Sequence, residues 1–191
     1  MHEIAVSEGI VLRKRGLGEA NAQVFVFTRE LGLVRAKATS SRAEASKLRY
    51  GLEPLTRGRF SFVKGKHEWR LVGVESISRE LAAAPLAARQ RLGQVSSLLL
   101  RLILGAEPSH GLYLTVSNGF DSLARAVEHA DSVECVLVLR VLAQLGYLPR
   151  LPLLSPFVES EEYSPQLAAQ AAAARKALVR LINESLQASG L

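Results

Sequence analysis

Apolar positions along this chain follow two rhythms. Over the first 75 residues they fall in short β-branched and aromatic runs broken by turn residues; from Leu81 onward they recur at helical spacing. The first pattern predicts five strands: Ile4–Lys14, Val24–Thr28, Gly32–Lys37, Arg59–Lys64 and Glu68–Glu75. Gly16–Gly18 supplies the first turn, Glu30–Gly32 the second, and Gly65-Lys66-His67 a connection of hairpin size. Between the third and fourth strands runs a longer basic excursion, Thr39–Tyr50. Five short strands in so few residues suit a small closed barrel. Such a barrel needs aromatic side chains inside it, and Phe25, Phe27, Phe60 and Phe62 are the expected core.

The second rhythm predicts helices. Leu86–Leu104 carries Leu92, Val95, Leu98, Leu99 and Leu102 on one face, and Gly105 and Pro108 stop it. Leu112–Val127 is a second candidate, weakened by Asn118-Gly119. Asp131 followed by Glu134 resembles a capping box opening a helix that ends at Gly146, with Pro149 beyond. Ser155–Tyr163 reads as a loop flanked by Pro152 and Pro156. Ser164 then caps a last helix with Pro165 at its first position. The expected class is α+β, a barrel over residues 1–78 and a helical domain over 79–191, with the boundary near Ser76–Ala84.

Charge sharpens this division. The chain has 191 residues and a formal charge of +6. Residues 1–75 hold 14 Lys and Arg against 8 Asp and Glu, whereas residues 76–191 hold 10 of each. The window 35–70 has 10 basic and 3 acidic residues. A polyanionic partner for the barrel follows, most simply nucleic acid, for which the OB-fold is the commonest small barrel.

Other chemistries are poorly supplied. One cysteine, Cys135, excludes an internal disulfide and a multi-thiolate zinc site, and its apolar neighbours make it a buried small hydrophobe. The only aspartates are Asp121 and Asp131, too few to cluster around a hard cation. Glu159, Glu161 and Glu162 lie in the Pro-flanked stretch and read as a solvated loop. His2, His67, His110 and His129 lack metal-ligand spacing, and Gly16 with Gly18 is a lone pair of glycines without a following helix. No catalytic residue, metal or cofactor is expected. Met1–Ser7 shows no signal-peptide pattern and no apolar run is long enough for a bilayer, so the expected location is cytoplasmic, without a membrane partner.

The basic excursion combines hydroxyls, cations and one aromatic: Thr39, Ser40, Ser41, Arg42, Ser46, Lys47, Arg49 and Tyr50. Hydroxyls, Arg and Lys fix a phosphate backbone but read no sequence. The candidate DNA-binding set is Arg13, Lys14, Arg35, Lys37, Arg42, Lys47, Arg49, Arg57 and Arg59, with Tyr50 and Trp69 as candidates for base stacking. A solvated loop, or an adaptor whose basic barrel docks an acidic protein, accounts for the same charge.

Short stretches of this chain resemble the bacterial DNA repair protein RecO family. They are Ser7-Glu8-Gly9-Ile10-Val11-Leu12-Arg13, Gly18-Glu19-Ala20, Leu31-Gly32-Leu33-Val34-Arg35, Arg42, Ser46-Lys47-Leu48 and Leu52-Glu53-Pro54-Leu55. The run Leu139 to Pro149 is similar to the family's helix ending in Leu-Gly-Tyr-x-Pro, and the resemblance covers about residues 4–150. It implies an N-terminal OB-fold and a helical domain that bind single- and double-stranded DNA and anneal complementary strands. With RecR, such proteins help load the RecA recombinase onto DNA coated by single-strand binding protein, whose C-terminal tail is a further implied partner; nucleoid association follows. No bond-making chemistry is implied. Thr39-Ser40 stands where the family usually has Lys-Gly, and Ala45 where it often has a cation. This implies a weaker loop contact, or one carried more by Arg35, Lys37, Arg57 and Arg59. Arg150–Tyr163 contains no cysteine, so the expectation is a shortened form without the family's zinc module.

Overall fold

The computed structural model describes residues 3–39, 51–66, 68–103, 107–126, 128–160, 162–188 and 190. The class is α+β. Five strands, β1 (Ile4–Leu17), β2 (Asn21–Thr28), β3 (Gly32–Ala38), β4 (Arg57–Lys64) and β5 (Trp69–Ser78), close into a barrel in the order β1-β2-β3-β5-β4. Helices follow: α1 (Glu80–Ala83), α2 (Leu86–Leu102), α3 (His110–Arg125), α4 (Ala130–Gln144), α5 (Ser155–Val158) and α6 (Pro165–Ala188), with a 3-10 turn at Pro152–Leu154. The chain forms two compact units. One comprises Met1–Ala84 with Ser96–Tyr113, the other Pro85–Val95 with Leu114–Leu191.

In the first unit, the long β1 closes the barrel. Its first half pairs with β4 (Ile4 with Val63 through Ile10 with Arg57), its second half with β2 (Gly9 with Thr28 through Leu17 with Asn21). The handover takes place at Gly9, where a Cβ would lie 2.7 Å from Val26 Cγ1. A side chain there would force β1 away from β2. A bulge between Val11 and Arg13 follows, and Leu55 and Thr56 fill the ladder beside it. Leu55 N donates to Val11 O at 2.8 Å, and Val11 N donates to Thr56 O at 2.9 Å. Bulges sharpen strand bending, as closure of a small barrel requires.

Period-two alternation fills the interior. Val34, Ala36 and Ala38 of β3 point inward with Val11, Val24, Val26, Leu52 and Leu71, and the small alanines face a barrel that also holds Phe60 and Phe62. Those two rings lie 6.2 Å apart, and Phe62 meets the edge of Trp69 at 6.3 Å. For β2 the core expectation holds for Phe27 and fails for Phe25. Its inward face is Val24 and Val26, so Phe25 is half-buried on the outer face. Phe27 is buried on that outer parity, against Tyr113 at 5.7 Å, and burial pushes the Tyr113 hydroxyl up.

In the second unit, α4 is the most buried helix and packs against α5 and α6. Cys135 is buried there, its thiol pushed up to about 11 by desolvation. Ser164 caps α6 as expected, its Oγ accepting from Leu167 N at 3.1 Å. Three helical expectations change. Asp131 does not cap α4: the capping position is His129, just before the helix, whose carbonyl accepts from Ser132 N and Val133 N. Asp131 and Glu134 instead bind the Arg91 guanidinium, at 2.5 and 2.9 Å. Asn118-Gly119 does not interrupt α3, because Gly119 gives room to a packing neighbour. A Cβ there would lie 2.4 Å from Leu137 Cδ1. The expected loop at Ser155–Tyr163 contains the short α5, held by the buried Arg140, which donates to Phe157 O and Glu162 O and lies over the Tyr163 ring. The first turn also shifts: β1 continues through Gly16 to Leu17, and Gly18 takes the positive φ of 67°.

Candidate nucleic-acid interface

Strand register decides which cations share a surface. The β1 bulge is central. Val11, Arg13 and Arg15 have the same parity, and Val11 is in the core, so an uninterrupted strand would turn both arginines inward. The bulge resets the phase. Beyond it Arg13 pairs with Phe25 and Arg15 with Gln23, both outward positions, while Lys14 pairs with the interior Val24. Lys14 is accordingly engaged: its Nζ donates to Glu53 Oε1 at 2.8 Å.

Continuing across β2 and β3, Phe25 pairs with Arg35 and Gln23 with Lys37; across the parallel β3–β5 junction, Lys37 pairs with Arg70. Two rows therefore run perpendicular to the strands: Arg13–Phe25–Arg35 and Arg15–Gln23–Lys37–Arg70. None of the direct cross-strand partners of these five cations is acidic. The Gln23 amide oxygen, in the orientation its contacts require, accepts from Arg35 Nε at 2.9 Å and Nη2 at 3.0 Å. Arg35, Arg15 and Arg70 are exposed.

Beside the rows lies a groove of about 760 Å³, lined by Arg35, Lys66, Glu68, Trp69 and Arg70, with Leu33 and Gly65. Trp69 is half-buried, one edge on Phe62 and Lys64 Nζ 5.7 Å from its ring centroid. Phe60 and Phe62 are fully buried and take no part in this surface.

Arg57 and Arg59 sit elsewhere, on β4. Arg57 is half-buried opposite Ile10 and Ser78; Arg59 is exposed opposite Glu8 on β1 and Glu75 on β5. Of the nine candidate cations, Arg13, Arg35 and Lys37 thus share one face, Lys14 is paired, and Arg57 and Arg59 lie on another strand. Arg42, Lys47, Arg49 and Tyr50 lie outside the described residues. Sequence reasoning missed Arg15, Gln23, Phe25 and Arg70. The Arg13-Lys14-Arg15 run signalled a cationic strand end, but its facing depends on the bulge.

No group of three or more His, Cys, Asp or Glu side chains among the described residues is arranged to hold a metal ion. Among the same residues, no helix is long and apolar enough to cross a membrane.

Residues 1–78 match the family described as "Recombination protein O N terminal". Over 150 residues the chain is 33% identical to the DNA repair protein RecO of Heliobacterium modesticaldum, covering 77% of this chain and 53% of that protein. It is 30% identical over 148 residues to the RecO protein of Bifidobacterium longum subsp. infantis, covering 75% and 62%. Rubrobacter xylanophilus RecO is 26% identical over 145 residues, covering 76% and 58%. The chain spans somewhat over half the length of these relatives.

Proposed function

We propose that this chain, similar over residues 1–78 to the N-terminal family of recombination protein O and over 150 residues to a RecO protein, serves in DNA repair and recombination, and that its barrel binds the backbone of single- and double-stranded DNA with little sequence preference. In this reading it brings complementary strands together for annealing. With RecR, and through the C-terminal tail of single-strand binding protein, it helps transfer coated DNA to RecA. It works as a mediator in the cytoplasm, at the nucleoid, without making or breaking bonds.

The observation that supports this reading best is the pair of cross-strand rows, five cations on one face without a directly opposed carboxylate. Arginine offers two parallel donors to a phosphate and lysine a point charge, and contacts of this kind with the backbone carry no sequence information. Arg13, Arg35 and Lys37 are the leading contacts, Arg15 and Arg70 extend them, and Arg42, Lys47 and Arg49 add to them from the segment between Thr39 and Gly51. Lys14, Arg57 and Arg59 are secondary, since register gives them other neighbours. Trp69 in the groove and Tyr50 are the aromatic contacts proposed for unpaired bases.

Trp69 makes this reading testable directly, because it is the only tryptophan in the chain. Titrating the protein with single-stranded DNA at low salt is expected to quench its fluorescence, with recovery as salt is added. Fluorescence that stays unchanged while a labelled strand is seen to bind removes the groove from the site. Absence of binding to any DNA, with an acidic protein bound instead, favours the adaptor reading.

A further inference from the structure

The outer face of β2 carries an aromatic ring that barrel packing does not require. Phe25 is half-buried on the side opposite the Val24 and Val26 core, and its two cross-strand neighbours are Arg13 and Arg35. We propose that Phe25 is a stacking platform for one unpaired base, with Arg13 and Arg35 holding the phosphates on either side of that nucleotide. This rests on the reading of the barrel as a DNA-binding surface and adds to it a preference for strands whose bases are free.

Three observations support it. The order of groups suits it: neighbouring strands lie about 4.8 Å apart, so the arginine backbones stand roughly 10 Å apart with the ring between them, within reach of successive phosphates for two long side chains. A nucleotide in a strand likewise presents a base between two phosphates. The chemistry fits as well. Every base has an aromatic face, and stacking it on a phenyl ring needs no hydrogen-bond readout, as expected of a surface without sequence preference. Finally, Arg35 is positioned in advance: two of its donors are held by the Gln23 amide, leaving the rest of the guanidinium to a phosphate. The neighbouring row, Arg15–Gln23–Lys37–Arg70, contains no ring and is a backbone rail alone. Paired arginines around Phe25 also disfavour a second copy of this chain on the same face, since docking would bring like charges together. A duplex keeps its bases stacked inside, so the platform gives nothing to double strands.

The test uses the full chain and three labelled probes of equal length: an oligothymidylate, the same backbone with abasic sites, and a duplex. The expected result is that Phe25→Ala and Phe25→Leu weaken binding of the oligothymidylate between about 5-fold and about 100-fold, the range of one base stacked on an aromatic ring. Abasic-strand and duplex affinities stay as in the unsubstituted protein, and Phe25→Trp binds the oligothymidylate at least as well. Phe25→Leu keeps an apolar residue on the strand, and matched thermal unfolding confirms that each variant is folded. Unchanged oligothymidylate binding by both variants overturns the platform. So does an equal loss on intact and abasic strands, which means that Phe25 shapes the sheet. In both cases the barrel still binds DNA. If the unsubstituted protein binds none of the three probes, the DNA reading itself falls.

Discussion

On the outer face of β1, β2 and β3, Arg13 and Arg35 flank Phe25; on the outer face of β1, β4 and β5, Arg59 stands between Glu8 and Glu75. Both rows are three residues wide, on the same barrel, and built around arginine. In the first, the cations have an aromatic ring and each other for company. In the second, two carboxylates lie one strand spacing away and partly neutralise the single cation. A polyanion approaching the first row meets two positive charges; at the second it meets one cation with a carboxylate on either side, of which Glu8 also pairs with Arg29 at 3.3 Å. Total charge therefore says little about where a basic barrel binds. Register, which chooses each cation's neighbours, says more.

The largest effect expected from this contrast concerns the inner side of the same strands. Phe60 is fully buried between β1 and β5, so Phe60→Ala should cost about 3–5 kcal/mol of stability. Denaturant unfolding measures this. Phe25→Ala should cost far less by the same measurement, because its ring is on the outer surface. Equal costs for the two would break the distinction between inward and outward aromatics.

A smaller effect separates the two rows themselves. Arg35→Ala should weaken DNA binding about tenfold at low salt, the scale of one lost hydrogen bond to a charged group. Arg59→Ala should change it less than about twofold, since its neighbours already offset its charge. Fluorescence anisotropy of a labelled strand reads both values. A loss at Arg59 as large as that at Arg35 would mean that DNA also follows β4.

Much of the fold is legible in the sequence, because alternation and turn residues act locally. The barrel, its five strands and the cap at Ser164 follow from such patterns. The facing of Arg13, Lys14 and Arg15 does not, because it depends on a bulge fixed by Leu55 and Thr56, some forty residues further on. The facing of Phe25 is hidden for a similar reason: side-chain size alone favours a phenylalanine as core, while Phe60 and Phe62 fill the interior from another strand. Asp131 carries the sequence signature of a cap but is drawn to Arg91, a tertiary partner that outweighs a local preference. Asn118-Gly119 reads as a break until Leu137 of α4 is placed against Gly119.

The central claim is that the two rows on β1, β2, β3 and β5 bind phosphates. A salt titration of single-stranded DNA binding, comparing the unsubstituted chain with Arg35→Ala/Lys37→Ala, tests it most directly. Each phosphate contact should contribute about −0.7 to the slope of log affinity against log salt. The double variant is expected to show a slope shallower by about 0.7 for each cation removed. A slope identical to that of the unsubstituted chain would contradict the claim and move the DNA site off this face of the barrel.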